Sequence, residues 1–398
     1  MKRSLTAVGL CLLLGALLAC GPASTPTPTA TAPEANLDLS GQNCLIIIPP
    51  LSESDNGFQN LLKEFREKGA AVTIASTTGN GAMKPDLILS DVNIDEYGII
   101  VLVYNKLSKF SDKEGFSADI NLSSLIVEAN RKGKIIVATH HAAEILARAG
   151  ILEGKKATGY TTIDEGQLKQ HGATYIDPDV AIAYVPGKGL RTHILVQRNI
   201  ITTPGVNPIN STACRHWSDL VSVIADVSRM LRLSEPLLFA KAKEENTIHS
   251  YEMYLAIHPN GSHVDEARGA IEFCKSLKAE IVASYPKEVS KEQSPWRNVE
   301  SPIWRWKVEF RELKGTKAFL THRDSDYISD KGHWYDPGGN SLEIEVPAKG
   351  KAVDEDNWVN SPSCNLCGGT AHIEYTGWDI YGNLIQVPLE FKLLDRWK

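Results

Sequence analysis

The 398-residue chain has no excess of positive charge, and this excludes one class of partner. Forty-two Lys and Arg stand against 48 Asp and Glu, a net charge of −6, and no local basic cluster reverses the balance. A nucleic-acid backbone needs a basic surface, so no nucleic-acid partner is expected. Beyond residue 18 no apolar run approaches the roughly 20 residues of a membrane-spanning helix. Neither Gly79-Asn80-Gly81 nor Gly187-Lys188-Gly189 continues into the Gly-Lys-Ser/Thr of a phosphate loop. No two His have the i, i+4 spacing of a zinc-binding helix. Cys364-Asn365-Leu366-Cys367, although followed by His372, has no second Cys pair to complete a four-ligand site. Cys364 and Cys367 read as a local disulfide or two buried thiols, and no metal or cofactor is expected.

What the chain does have begins at its first residues. Lys2 and Arg3 precede a short apolar run, residues 5–18, ending in Leu17-Leu18-Ala19-Cys20. The run is too short to span a bilayer and reads as a secretory signal. A small residue before Cys20 fits a lipobox, in which the Cys sulfur carries a lipid. Residues 1–19 are therefore the expected signal and Cys20 the expected lipidation site, with the membrane as partner on its extracytoplasmic side. Residues 20–42, rich in Pro, Thr and Ala, lack apolar periodicity and read as a solvated tether. Of seven Cys, Cys11 leaves with the signal and Cys20 is lipidated. The odd remainder (Cys44, Cys214, Cys274, Cys364, Cys367) leaves at least one thiol unpaired.

Residues 43–235 alternate solid apolar runs with helical stripes. Leu45-Ile46-Ile47-Ile48, Ile99-Ile100-Val101-Leu102-Val103 and residues 135–138 read as strands buried on both faces. Phe58, Leu61, Leu62 and Phe65 mark one face of a helix, closed by Gly69. Leu122, Leu125, Ile126 and Ala129 mark another, closed by Gly133. Strands are also expected at 72–74, 180–185, 194–196 and 200–202. Helices are expected at 141–149 and 211–233. Repeated strand-then-helix units predict a mainly parallel sheet covered on both faces, with ligands beyond the C-terminal strand ends.

Residues 236–295 read as a TPR-like helical hairpin and linker. Ala240, Ala242, Ile248, Tyr251, Tyr254 and Leu255 mark one helix, and Val264, Ala267, Ile271 and Leu277 a second beyond Pro259-Asn260-Gly261. One such repeat cannot bury its own face, so it is expected to pack on a neighbour. Residues 296–398 show period-two alternation at 304–310, 342–346 and 385–393, which predicts a small antiparallel β-sandwich. Asp379 to Asn383 reads as a hairpin turn, and Asp324 and Asp326 as solvated acids rather than part of a calcium site. Seven of the eight Trp fall in this last region. They read either as core, since Trp304 and Trp306 share the face of Val308 and Phe310, or as a face for sugar or peptide.

The segments "LLKEFREKGAAVTIAS", "PDLILSDVNIDEYGIIVLV", "KGKIIVATHHAAEILARAGILEGKKATGY", "LKQHGATYIDPDVAI" and "RNIITTPGVNP" follow in an order that resembles the ThiJ/PfpI family. This family has the class I glutamine amidotransferase-like, flavodoxin-type fold. The likeness covers about half the chain and implies a parallel sheet sandwiched by helices, and often a homodimer. It also implies a nucleophile elbow, a Cys on a tight strand-to-helix turn where main-chain N–H groups stabilise thiolate and oxyanion. The matching turn here is Thr139-His140-His141. His140 stands in the Cys position and His141 where many members keep a His. Tyr104-Asn105 replaces the family's Gly-Gly and is expected to crowd the oxyanion site. The family's Glu on the first helix falls near Gly57, with Glu53 and Asp55 out of register.

Catalytic residues are accordingly not expected in the family's form. His140, His141, Tyr104, Asn105 and Asp55 become candidates for binding. At an elbow His140 is expected to take a positive φ and, beside a helix N-terminus, to stay neutral. Two readings follow. One is a membrane-anchored binding or scaffold module with an unknown small ligand or protein partner. The other is a hydrolase- or glyoxalase-like enzyme using His140, His141 or a metal, with His193 or His216 as a pairing partner.

Overall fold

The structure, a computed structural model, describes residues 38–50, 56–79, 84–104, 116, 119–160, 162–178, 181–185, 189–204, 213–292, 303–335, 340–360 and 368–397. The signal, Cys20, the tether, Glu53, Asp55, Asn105, Cys364 and Cys367 lie outside these residues. Of Cys214 and His216 only the main chain is described. No helix among the described residues is long and apolar enough to cross a membrane.

The first half is a seven-stranded sheet of β1 (Asn43–Ile48), β2 (Ala71–Ser76), β3 (Leu87–Ile88), β4 (Ile99–Tyr104), β5 (Ile135–His140), β10 (Leu195–Gln197) and β11 (Ile200–Thr203). Its order is β10-β11-β5-β4-β1-β2-β3. All neighbours are parallel except β10 against β11. The solid apolar runs are explained by two covered faces. Along β1, Cys44, Ile46 and Ile48 turn to one core, while Leu45 and Ile47 turn to the other. Helices α1 (Asn56–Glu67) and α5 (Ala213–Met230) cover the first face through Phe58, Leu61, Phe65, Leu220 and Ile224. Helices α2 (Ile120–Arg131) and α3 (Ala142–Arg148) cover the second through Leu122, Ile126, Ile145 and Leu146. Asp119 caps α2 by accepting from Asn121 N and Leu122 N. Gly69 and Gly133, at φ 81° and 68°, close α1 and α2 in the left-handed conformation that glycine adopts without strain.

Two small ladders stand off the sheet. β6 (Lys156–Ala157) and β7 (Thr174–Tyr175) are parallel, with α4 (Thr162–Gln170) between them. β8 (Ile182–Val185) and β9 (Gly189–Thr192) form a separate hairpin, so the strand expected at 180–185 exists but pairs outside the main sheet.

The helical region has three helices, not two: α6 (Glu235–Glu245), α7 (Ile248–Ile257) and α8 (Val264–Ser276). The helix expected from Ala240 to Leu255 breaks at Asn246. Its φ of 48° and ψ of 48° end α6 in a left-handed cap, a conformation Asn tolerates. Thr247 then starts α7 with a capping box. Its hydroxyl accepts from Ser250 N at 3.0 Å, and its own N–H donates to Ser250 Oγ at 3.1 Å. Leu238, Phe239, Tyr251, Met253 and Tyr254 bury themselves in the core that α1 and α5 share. The short hairpin thus finds its missing partner in the α/β layer.

The C-terminal region is a nine-stranded, mainly antiparallel sheet. Its strands are β12 (Ile281–Ser284), β13 (Glu288–Glu292), β14 (Ile303–Glu312), β15 (Ala318–Ser329), β16 (Trp334–Tyr335), β17 (Asn340–Val346), β18 (Lys351–Asn360), β19 (Gly369–Asp379) and β20 (Leu384–Trp397). Only β13 departs from antiparallel order, lying parallel to β20. Trp304, Trp306, Val308 and Phe310 all point into its core with Tyr375, Val387 and Phe391. Trp334 is exposed. The turn at Asp379–Asn383 ties this domain to the helices. Buried Asp379 accepts from Ala279 N, Tyr381 N, Asn383 N and Asn383 Nδ2 at 2.9–3.0 Å, and Tyr381 O accepts from Ile248 N.

Candidate functional site

β5 ends at the C-terminal edge of the sheet and turns directly into α3. His140, its last residue, has φ 55°, and His141 is the N-cap of α3. The strained turn expected of an elbow is therefore present, with an imidazole on it. His140 is 6% exposed. Its Nδ1 lies 3.2 Å from Thr139 Oγ1, and Thr139 donates in turn to Leu102 O. The His140 ring lies between Tyr160 and Trp217, at centroid distances of 5.9 and 6.1 Å. Trp217 Nε1 has no hydrogen-bond partner among the described residues.

His141 faces a different neighbourhood, as adjacent residues on a turn must. Its Nδ1 lies 2.8 Å from Asp164 Oδ1, and neither side chain is exposed. Asp164 Oδ2 accepts from Tyr160 N at 2.6 Å, which closes the turn ahead of α4 over the elbow. A carboxylate oxygen accepts, so His141 Nδ1 is the donor of this contact. His141 Nε2 is buried and has no partner among the described residues. Tyr104 and Tyr160 stand edge-on to this imidazole, at 6.5 and 5.3 Å.

The main chain beside the turn is closed on itself. His141 N donates to Tyr104 O at 2.8 Å, so the N–H that follows the elbow residue already has an acceptor. The Tyr104 side chain does not fill the elbow itself. It turns to the α2–α3 face, fully buried against Phe116 at 5.5 Å. Glu144, in the first turn of α3, is buried and pairs with Arg148 at 2.5 Å. Among the described residues no three His, Cys, Asp or Glu are arranged to hold a metal ion.

The structure thus brings His140, His141 and Tyr104 together. Asp164, Tyr160, Trp217 and Glu144 were not singled out from sequence. Trp217, the one Trp outside the C-terminal region, carried a compositional signal. Asp164 carried none, because an acid in a helix's first turn is ordinary. Cys44 is fully buried, and burial pushes its thiol well above the ordinary range. It is no substitute nucleophile.

A family model described as the DJ-1/PfpI family matches residues 44–210. The uncharacterized protein MJ0967 of Methanocaldococcus jannaschii is 31% identical over 158 residues, which are 37% of this chain and 75% of that protein. The deglycase PfpI of Pyrococcus furiosus is 30% identical over 128 residues, 29% of this chain and 71% of that protein. Among solved structures, a ThiJ/PfpI domain protein from Brachyspira murdochii is 20% identical. That match covers 48% of this chain and 98% of the other, with a TM-score of 0.37.

Proposed function

This chain belongs to the DJ-1/PfpI family, and from that premise we propose that it is a member whose elbow binds rather than reacts. It is an extracytoplasmic lipoprotein held to the membrane through Cys20, and it takes a small ligand or a protein partner at the C-terminal edge of its sheet. The supporting observation is the elbow itself. An imidazole at φ 55° lies on the turn that the sequence resemblance matches to the family's thiol, and the following N–H is bonded to Tyr104 O. A relative is described as a deglycase. Sharing that activity by the family's route would require a nucleophile that His140 does not supply.

A second reading has its own observation. The buried His141–Asp164 pair, with Nε2 unpartnered among the described residues, has the form of a general base oriented by a carboxylate. Without a thiol to deprotonate, its partner would be a bound water or a substrate hydroxyl. Assaying the full chain on small α-oxoaldehydes and glycated amines separates the readings. The binding reading expects no turnover above blank. The general-base reading expects turnover that His141→Ala removes.

A further inference from the structure

The seam between the α/β layer and the helical layer holds a compact cluster of charges around one imidazole. Asp226 and Arg229 come from α5, 2.7 Å apart. Lys241 of α6 reaches Asp226 at 3.5 Å and also pairs with Glu245. His249, half-buried in the first turn of α7, feels the charges of Asp226 and Lys241. It lines a void of about 10 Å³ with Asp226, Glu245, Val223, Met230 and Met253, room for about one water. β10 contributes only Val196 to this void.

At neutral pH the cluster balances: two carboxylates, two cations and a neutral imidazole. We propose that this seam is an acid-sensitive joint, at which protonation of His249 loosens α6 and α7 from α5. Protonating His249 adds a third cation beside Asp226. The helices carry the β-domain with them, because Tyr381 O accepts from Ile248 N of α7 and Asn383 Nδ2 donates to Cys274 O of α8. The joint therefore governs how firmly the distal domain is held against the α/β layer.

The sign follows from burial. Burial, together with Lys241, holds the His249 imidazole down to about 4, against the pull of Asp226. An opened seam returns it towards its ordinary 6.5. The open form then takes the proton first, and acid favours opening as pH falls from about 6.5 to about 4. Over that window the ratio of open to closed gains a factor of roughly 80 from this group. Glu245 acts in the opposite sense, since burial raises its carboxyl. His249 is the group displaced far, so opening prevails.

Hydrogen exchange of the full chain, read by mass spectrometry at pH 7 and pH 4.5 and corrected for intrinsic rate, tests this. Segments from 213–257 are expected to lose protection at pH 4.5, while β4 and β5 keep theirs. His249→Phe and His249→Gln, neither of which can be charged, are expected to abolish the acid-induced loss. Equal loss in wild type and both variants would overturn the proposal. So would simultaneous loss in β4 and β5, or undiminished protection of 213–257 in the wild type at pH 4.5.

Discussion

His141 Nδ1 stands 2.8 Å from Asp164 Oδ1, with both side chains fully buried. The carboxylate fixes the imidazole's tautomer and also accepts from Tyr160 N, so it orients the elbow and closes the turn above it. In Asp164→Asn an amide has one acceptor for two donors, and a buried N–H is left without a partner. The expected cost is about 1–3 kcal/mol in denaturant unfolding. A mixed tautomer is also expected in the nitrogen shifts of the His141 ring. Unchanged shifts and stability would remove Asp164 from its role.

The elbow's backbone is predicted to work for a thiol. His140→Cys places a smaller side chain at φ 55°, beside His141 and Tyr160. That thiol is expected to alkylate on the order of ten times faster than an unperturbed cysteine at pH 7. A rate no faster than that of a free thiol would mean that the site has lost the electrostatics of a nucleophile position as well as the nucleophile.

Cys44 is expected to behave oppositely. Fully buried, with its thiol raised by burial, it should resist a thiol reagent in the native protein and react on unfolding. Labelling with site-by-site mass spectrometry checks this, and native labelling at Cys44 would contradict the buried β1 position.

Asp379 is predicted to be the most costly single polar residue of the C-terminal domain. Asp379→Ala strands Ala279 N, Tyr381 N, Asn383 N and Asn383 Nδ2. At about 1 kcal/mol for each lost bond, the loss is roughly 3–5 kcal/mol. Urea unfolding followed by tryptophan fluorescence reads it directly, since the domain's core contains Trp304 and Trp306. A loss below about 1 kcal/mol would show that the turn does not fasten the domain.

Much of the fold was legible because period and burial are local signals. β1 and β4 read as solid apolar runs since both faces of the sheet are covered, and Trp304 and Trp306 alternate with charges since only one face of β14 is. The break at Asn246 was hidden because the apolar spacing continues through it. The elbow could be placed from Thr139-His140-His141, down to the positive φ of His140. Its partners could not, because Asp164 and Trp217 reach it from α4 and α5, and nothing in their local spacing records a contact so distant in sequence. Tyr104 could be singled out beside the turn, but its contact with His141 is made through its carbonyl, which a side-chain reading does not see.

The central claim is that this elbow binds without reacting, and turnover of a small α-oxoaldehyde by the full chain tests it most directly. The account predicts a rate equal to blank, the same for wild type and His140→Ala. A rate well above blank that His140→Ala abolishes would contradict it and make His140 a reacting group.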